Sequence, residues 1–287
     1  MENNKINIPW KLKSKVFRVI DLFSAEMLLY FLQKYVTKRS RLEKQSVSEN
    51  WITHMKAIRK YGTNDVLFEF GAGKSLMQNL FLSPYVSEQI LVDLNPMLDL
   101  SLVEASRIFL SAKMTLPSNK PISKRSDLND YGIDYRAPFD ASDTGLRDKF
   151  VDVCVSTNTL EHIPKEALIK IFFELNRILK DSGIVSLVID YSDHYSHTDN
   201  SIGPLNYLNY TESEWAKFNH DCHFQNRLRH YDYIEIFKHC GFQIIEENSN
   251  YMSDEVDDNL KSKFSEVDER WSAISGHILV RKMVDTN

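Results

Sequence analysis

The stretch Val66-Leu67-Phe68-Glu69-Phe70-Gly71-Ala72-Gly73-Lys74 decides how this chain is expected to fold. An apolar run closes on an acidic residue and a Phe, and two glycines one residue apart then lead into the amphipathic segment 75–82. This order is typical of a strand, a tight turn and a helix. Glycines at such a turn accept positive φ angles and let a ligand lie against the backbone. The stretch therefore predicts a binding site for a nucleotide-like cofactor.

A second apolar run ends in an acid. Ile90-Leu91-Val92 is followed by Asp93, which lies twenty residues after Gly73. An acid at the end of the next strand can accept hydrogen bonds from the hydroxyls of a ribose, and this separation is usual for such a pair. Glu69 and Asp93 are therefore expected to bracket one small molecule.

The order of acid and glycines in Glu69-Phe70-Gly71-Ala72-Gly73 resembles motif I of the class I S-adenosylmethionine-dependent methyltransferases. The resemblance implies that Gly71 and Gly73 let the methionine and sulfonium lie against the backbone. It also implies that Glu69 faces the methionine end and that Asp93 binds the ribose.

A longer stretch carries the same resemblance. The run from Phe150 to Ile163, which reads FVDVCVSTNTLEHI, is similar to strand four and the following crossover of that family. The resemblance places Asn158 beside the cofactor. Just upstream, Asp140 and Ala141 match the position whose acid and backbone amide recognise adenine. The likeness covers roughly residues 65–190 and continues more weakly to 281.

Strand candidates alternate with helical patterns from residue 65 onward. They lie at 66–70, 89–93, about 132–137, 151–156, 184–190, 242–246 and 277–281. This alternation predicts an α/β fold with a doubly wound, seven-stranded, mainly parallel sheet. We expect residues 1–62 to form an N-terminal helical cap and residues 63–287 a Rossmann-like methyltransferase domain. The clearest helix should begin after Pro164 and end at 181–183.

An insertion of about forty residues follows the fifth strand, and we expect it to form a lid over the acceptor at about 191–230. Its aromatic faces and multidentate donors suit a sugar or a phosphorylated sugar. Tyr191, Arg227 and Arg229 are the expected substrate-binding residues, because guanidinium groups can clamp an anion. Alternatively, the aromatic side chains form a core and the arginines pair with Glu212, Glu214 or Asp232.

The phrase Asn226-Arg227-Leu228-Arg229-His230, followed by Asp232-Tyr233, is similar to methyltransferases of bacterial surface-glycan assembly. This resemblance implies a small-molecule or glycan acceptor. Transfer to a hydroxyl would require a base near the carboxyl ends of strands four and five.

The densest polar cluster begins at Asp190. His194, His197 or His162 is expected to take the acceptor proton, with His194 favoured and Asp190 or Asp193 orienting the ring. Asp190, Asp193, His194 and His197 could instead bind a divalent metal, although we expect no metal. A third interpretation is that these side chains only cap and solvate a loop.

Composition excludes several classes of protein. A net charge of −5 and the lack of a basic block argue against a nucleic-acid partner. Three cysteines without C-x-x-C spacing predict neither a disulfide framework nor a thiolate zinc site, and no secretory signal is visible, so we expect a cytoplasmic protein. The amphipathic segment 16–35 is expected to pack as a cap. Peripheral membrane association or a homodimer surface are the alternatives for it.

Different classes of function fit these motifs. We expect a methyltransferase that transfers a methyl group from S-adenosylmethionine to a hydroxyl of a sugar or glycan-linked acceptor. Another small molecule or a lipid is the alternative acceptor. An NAD-type oxidoreductase would require G-x-G-x-x-G, but this chain has Leu76 or Met77 at the third position. An inactive cofactor-binding scaffold would keep the motifs without a base.

Overall fold

A seven-stranded sheet forms the centre of the described chain. The computed structural model describes residues 7–23, 46–62, 65–251, 258–264 and 269–283. The strands are β1 (Val66–Phe70), β2 (Glu88–Val92), β3 (Ile133–Arg136), β4 (Val151–Thr157), β5 (Leu179–Asp190), β6 (Phe242–Tyr251) and β7 (Ala273–Lys282). Their spatial order is β3-β2-β1-β4-β5-β7-β6, and β7 alone runs antiparallel to its neighbours.

Eight α-helices lie among the described residues, and several of them cover both faces of this sheet. They are α1 (Trp10–Leu22), α2 (Glu49–Tyr61), α3 (Met77–Leu82), α4 (Leu100–Ser111), α5 (Lys165–Ile178), α6 (Glu212–Trp215), α7 (His230–His239) and α8 (Asp258–Lys263). Buried side chains of α5 and α7 form one hydrophobic cluster with the sheet, and those of α2, α3 and α4 form another. The predicted doubly wound, mainly parallel sheet is confirmed.

The ends of several elements differ from the expectation. Helix α5 stops at Ile178, because Leu179 is already extended and pairs with Val151 of β4. Strand β6 continues to Tyr251 instead of ending near 246. Its last residues, Asn248-Ser249-Asn250, look like a turn by composition, but antiparallel pairing with β7 keeps them extended.

The insertion after β5 is present and lies between Asp190 and His230. Its aromatic residues are buried in a separate cluster, which contains Tyr195, Tyr207 and Trp215. Helix α1 contributes Trp10 and Phe17 to the same cluster. The aromatic faces therefore bind this helix, which corresponds to the core alternative and leaves these three side chains no surface for a sugar.

The two described helices of the predicted cap lie on different parts of the fold. Helix α1 packs on the insertion, whereas α2 contacts β4 and β5 of the sheet. The outer side of α1 exposes Leu12, Val16, Val19 and Leu22. Residues 24–35 of the predicted amphipathic segment lie outside the described residues. Membrane association and dimer formation through this segment stay predictions.

No helix among the described residues combines the length and the apolar character needed to cross a lipid bilayer.

Candidate active site

The two glycines of the turn after β1, Gly71 and Gly73, are required for different reasons. Gly71 has φ +78° and Gly73 has φ +76°, a region that side chains rarely adopt. A Cβ atom on Gly71 would lie 2.3 Å from Thr159 Cγ2, whereas one on Gly73 would meet nothing within 4 Å. Packing therefore requires the first glycine. The second borders open space, as expected for a residue against which a ligand lies.

Asp93 is held directly against this turn. The backbone amide of Gly73 donates to Asp93 Oδ2 at 3.1 Å, and the Tyr135 hydroxyl donates to the same oxygen at 2.9 Å. Burial raises the pKa of Asp93, and the two hydrogen bonds partly oppose that shift. The sequence does not identify Tyr135 as a site residue, because its pattern is that of an ordinary strand residue of β3. It orients the predicted ribose acid.

Glu69 is buried and both of its oxygens accept hydrogen bonds from α3. Gln78 Nε2 donates at 2.9 Å and Asn79 Nδ2 at 2.5 Å. Burial nevertheless raises the pKa of Glu69 to about 8. The carboxyl group therefore fastens the helix that follows the glycine turn. Its expected contact with the methionine end stays a prediction.

The remaining predicted cofactor residues lie in loops at the same edge of the sheet. The amide of Phe139 donates to the carbonyl of Asp93 at 2.9 Å, which ties the loop after β3 to the end of β2. Within that loop Asp140 is exposed and Ala141 is buried. Asn158, which follows β4, is exposed and has φ +50°. The structure brings these segments together around the glycine turn.

A row of buried and half-buried side chains leads away from Glu69, and we call it the His54 network: Glu69, Gln78, Thr157, His54, Ser186 and His277. Thr157 donates to Gln78 Oε1 at 2.8 Å. The His54 ring, which has no exposed surface, lies 2.8 Å from both Thr157 Oγ1 and Ser186 Oγ. Ser186 Oγ in turn lies 2.9 Å from His277 Nε2.

Hydrogen-bond chemistry gives the His54 network one direction. A hydroxyl donates one proton, so Thr157 must accept from His54 Nε2 once it donates to Gln78. His54 Nδ1 then accepts from Ser186, which accepts from His277 Nε2. Neutral His277 therefore keeps its Nδ1 lone pair as an acceptor. Burial lowers the pKa of His54 to about 3, so the ring stays neutral.

His277 also borders a cleft of about 520 Å³ at the carboxyl ends of β4 and β5. Its floor consists of two rows that cross the paired strands β5, β7 and β6. One row holds Val188, His277 and Asn248, and the other Asp190, Ser275 and Asn250. All but Val188 can donate or accept hydrogen bonds.

The walls of the cleft are equally polar. Glu49, Asn50 and Thr53 come from the first turns of α2, and Asn158 comes from the loop after β4. His197 lines the cleft from the insertion. Asn158 thus joins the cleft to the predicted cofactor turn, and the arrangement suits a ligand with several hydroxyl groups.

The predicted catalytic histidines divide into two positions. His197 lines the cleft, and its Nε2 lies 2.9 Å from Ser192 Oγ and 3.6 Å from Asp190 Oδ2. His194 lies behind it, and the two rings stack with centroids 4.9 Å apart and planes inclined by 29°. His162 stands 4.9 Å from His194 on the other side. His194 is therefore less accessible to an acceptor than His197 is.

The expected substrate-binding residues of the insertion make internal contacts. Tyr191 is buried, and its hydroxyl lies 2.9 Å from His230 Nδ1. Arg229 is buried too and donates to the carbonyls of Tyr191 (2.8 Å), Trp271 (2.7 Å) and Ala273. The structure thus gives Tyr191 and Arg229 no surface on the cleft, because both stabilise the junction between the insertion and β7.

Arg227 pairs with an acidic residue of the insertion, which was the alternative to a substrate-binding role. It pairs with Glu212 and donates to the carbonyls of Tyr207 at 2.7 Å and Tyr210 at 3.0 Å. Both arginines border a second cavity of about 420 Å³. Because their guanidinium groups already serve internal acceptors, an anion-clamping role stays a prediction.

Part of the chain is similar to a known family. A family model described as a methyltransferase domain matches residues 110–187, which include Asp140, Asn158 and most of β5. No curated protein matches the sequence significantly.

Several solved structures are similar in fold. The CurJ carbon methyltransferase superposes with a TM-score of 0.50 and 17% identity, over 90% of this chain and 61% of that chain. A putative S-adenosylmethionine-dependent methyltransferase from Listeria monocytogenes gives a TM-score of 0.49 at 14% identity, over 82% and 99% of the two chains. The YcgJ protein from Bacillus subtilis gives 0.49 at 17%, over 82% and 99%.

The match to the methyltransferase family model supports a methyltransferase enzyme with S-adenosylmethionine as its cofactor. It favours the first function class over an NAD-type oxidoreductase.

The two glycines should respond differently to replacement by alanine. Gly71→Ala introduces a clash with Thr159 and should lower the free energy of unfolding by clearly more than the strain of a positive φ, which costs about 1–2 kcal/mol. Gly73→Ala should cost only that strain, yet weaken binding of S-adenosylhomocysteine. Urea denaturation and calorimetry measure the two effects. Equal stability losses would contradict the packing difference.

Acidification should reveal the buried neutral ring of His54. An unfolded histidine binds a proton near pH 6.5, whereas folded His54 has a pKa of about 3, so stability is lost as the pH falls below about 6.5. His54→Gln should be less stable at pH 7 but should lose about 2 kcal/mol less than the wild type between pH 7 and pH 5. Urea denaturation at both pH values tests this. Parallel losses would show that His54 does not resist protonation.

Proposed function

We propose that this chain methylates a hydroxyl group of a sugar or glycan-linked acceptor bound in the cleft beside Asn158. The polar floor formed by β5, β7 and β6 carries the proposal, since Asp190, Ser275 and Asn250 present a carboxylate, a hydroxyl and an amide in one row. Groups of this kind can bind the alternating donors and acceptors of a polyhydroxylated ring. Val188, Pro204 and Ile274 add apolar surface to the same lining, against which the carbon face of a sugar ring can pack.

The cofactor would be held at the glycine turn. Asp93, fixed by Gly73 and Tyr135, accepts hydrogen bonds from the ribose, and the open side of Gly73 receives the methionine end. A sulfonium supplies a methyl group that is already activated for transfer. The chain must therefore position the acceptor in line, exclude water and accept a proton.

His197 is the best-placed base in this scheme. Ser192 donates to Asp190 Oδ1 at 2.6 Å, so its oxygen accepts from His197 Nε2. This fixes the tautomer with its lone pair on Nδ1, the atom that would take the acceptor proton. Asp190 orients the ring through Ser192. The leading role thus passes from His194 to His197, because only the latter borders the cleft.

Removing the Asp93 carboxylate tests the cofactor half. Asp93→Ala should weaken binding of S-adenosylhomocysteine by about 1–3 kcal/mol, because a hydrogen-bonded charged group is lost. Asp134→Ala provides a control that should bind normally, because Asp134 is a half-exposed residue of β3 whose carboxylate pairs with Arg136. Calorimetry gives both affinities. Binding of NAD without binding of S-adenosylhomocysteine would contradict the proposal.

Transfer of a labelled methyl group tests the acceptor half. Monosaccharides, nucleotide sugars and glycan fragments are screened first, and His197→Ala is then compared with the wild type on an active acceptor. The variant should transfer about 100-fold more slowly and keep its affinity for S-adenosylhomocysteine. His239→Ala, on the exposed side of α7, should keep the full rate. A full rate in His197→Ala would move the base elsewhere.

A further inference from the structure

We propose that Glu161, His162 and His194 form a binding site for one first-row divalent metal ion beside the acceptor cleft. The candidate ligand atoms of these three residues all lie within 4.8 Å of one another. Ligand atoms at about 2.1 Å from a tetrahedral ion are about 3.4 Å apart, so side-chain rotations that bring the three groups closer by up to about 1.4 Å would complete the site.

Glu161 supplies the first reason to expect an ion. Its carboxyl group is buried, and neither oxygen accepts a side-chain hydrogen bond among the described residues; the backbone amides of Glu161 and Asp190 are the donors closest to it. A buried polar group without a partner is costly in either protonation state. A bound cation would satisfy both oxygens, and it would do so where two imidazole rings converge.

Each of the two histidines has a ring nitrogen that could bind the same ion. His162 Nδ1 lies 2.9 Å from the carbonyl oxygen of Phe224, which can only accept, so this nitrogen carries the proton and Nε2 keeps a lone pair. His194 Nε2 is buried without a hydrogen-bond partner and lies 3.5 Å from Asp190 Oδ2. The exposed side of His162 leaves an entry path from solvent.

Three consecutive residues of the insertion brace this triad. Phe224 orients His162 through its carbonyl, and Gln225 accepts the backbone amide of His194 at 3.3 Å. The backbone amide of Asn226 donates to the carbonyl of Glu161 at 2.8 Å, and its side-chain amide donates to the carbonyls of Leu160 and Ile163, each at 2.8 Å. A backbone carbonyl that holds the second nitrogen of a histidine, as Phe224 holds His162, is typical of metal sites, and the other two contacts fix the backbone of the loop that carries Glu161 and of His194. The segment 224–226 therefore couples the insertion to the site.

The donor set selects the kind of ion. Two imidazoles and one carboxylate suit Zn²⁺, Mn²⁺ or Fe²⁺, whereas Mg²⁺ and Ca²⁺ prefer oxygen ligands. A second group of Asp190, His194 and His197 shares His194 with the first. Asp190 and His197 are already engaged with Ser192, so we assign the ion to the group that contains Glu161.

Direct binding tests this assignment without cofactor or acceptor, so its outcome is independent of methyl transfer. The full chain is treated with a chelator, dialysed and titrated with Zn²⁺ or Mg²⁺ by calorimetry, with bound metal measured by elemental analysis. We expect one Zn²⁺ per chain, a rise in the melting temperature, and affinity for Mg²⁺ at least about 100-fold weaker.

Variants locate the ion. Glu161→Gln and His194→Asn should each weaken Zn²⁺ binding by about 100-fold or more, and Asn226→Ala by about 10- to 100-fold through the loss of bracing. Asp190→Asn and the exposed control Glu166→Gln should bind within a few-fold of the wild type. Thermal unfolding verifies that each variant folds, and His194→Asn serves if Glu161→Gln does not.

Two results would overturn the proposal. One is the absence of saturable Zn²⁺ binding by the wild type. The other is loss of binding in Asp190→Asn with normal binding in His194→Asn and Glu161→Gln.

Discussion

A single buried ring, that of His54, connects the N-terminal helix α2 to both halves of the site. It bridges Thr157 at the end of β4 and Ser186 in the middle of β5, and it has no exposed surface. Without an imidazole there, two buried hydroxyl groups would lose a partner, which is costly inside a protein. The position of α2, and with it the wall of the cleft formed by Glu49, Asn50 and Thr53, depends on this interaction.

The His54 network also connects a residue of the predicted cofactor site to a residue of the cleft through hydrogen bonds. Glu69 lies at the cofactor turn, and His277 lies in the floor of the cleft. Because every hydrogen bond between them points the same way, a change of charge at one end alters the polarity felt at the other. In the proposed complex, the acceptor would therefore contact His277 in a tautomer that Glu69 helps to set through this chain of hydrogen bonds.

The fold could be predicted from the sequence because strands buried on both faces appear as apolar runs such as Ile90-Leu91-Val92, and glycine turns such as Gly71-Ala72-Gly73 mark where a strand ends. The predicted cofactor residues also gather at one edge, since parallel strands align their carboxyl ends. His54 could not be found in this way. Its partners Thr157 and Ser186 lie 103 and 132 residues away, and local periodicity does not record such distances. Asn248 and Asn250 were hidden for another reason, because only pairing with β7 keeps them in a strand.

The insertion shows why composition alone does not reveal whether aromatic and arginine side chains bind a substrate or form a core. Aromatic and arginine side chains suit both a sugar site and a small core, and the sequence cannot separate the two. Helix α1 decides the matter for the aromatics, because Trp10 and Phe17 occupy their faces. Arg229 then fills the polar end of the same region by serving carbonyl groups that end β5 and begin β7. Because these side chains are committed to packing, the acceptor site that we propose is built from the short polar residues of the sheet edge. Those residues have few rotamers and are held by paired strands, so they can present a fixed pattern of donors and acceptors at little entropic cost.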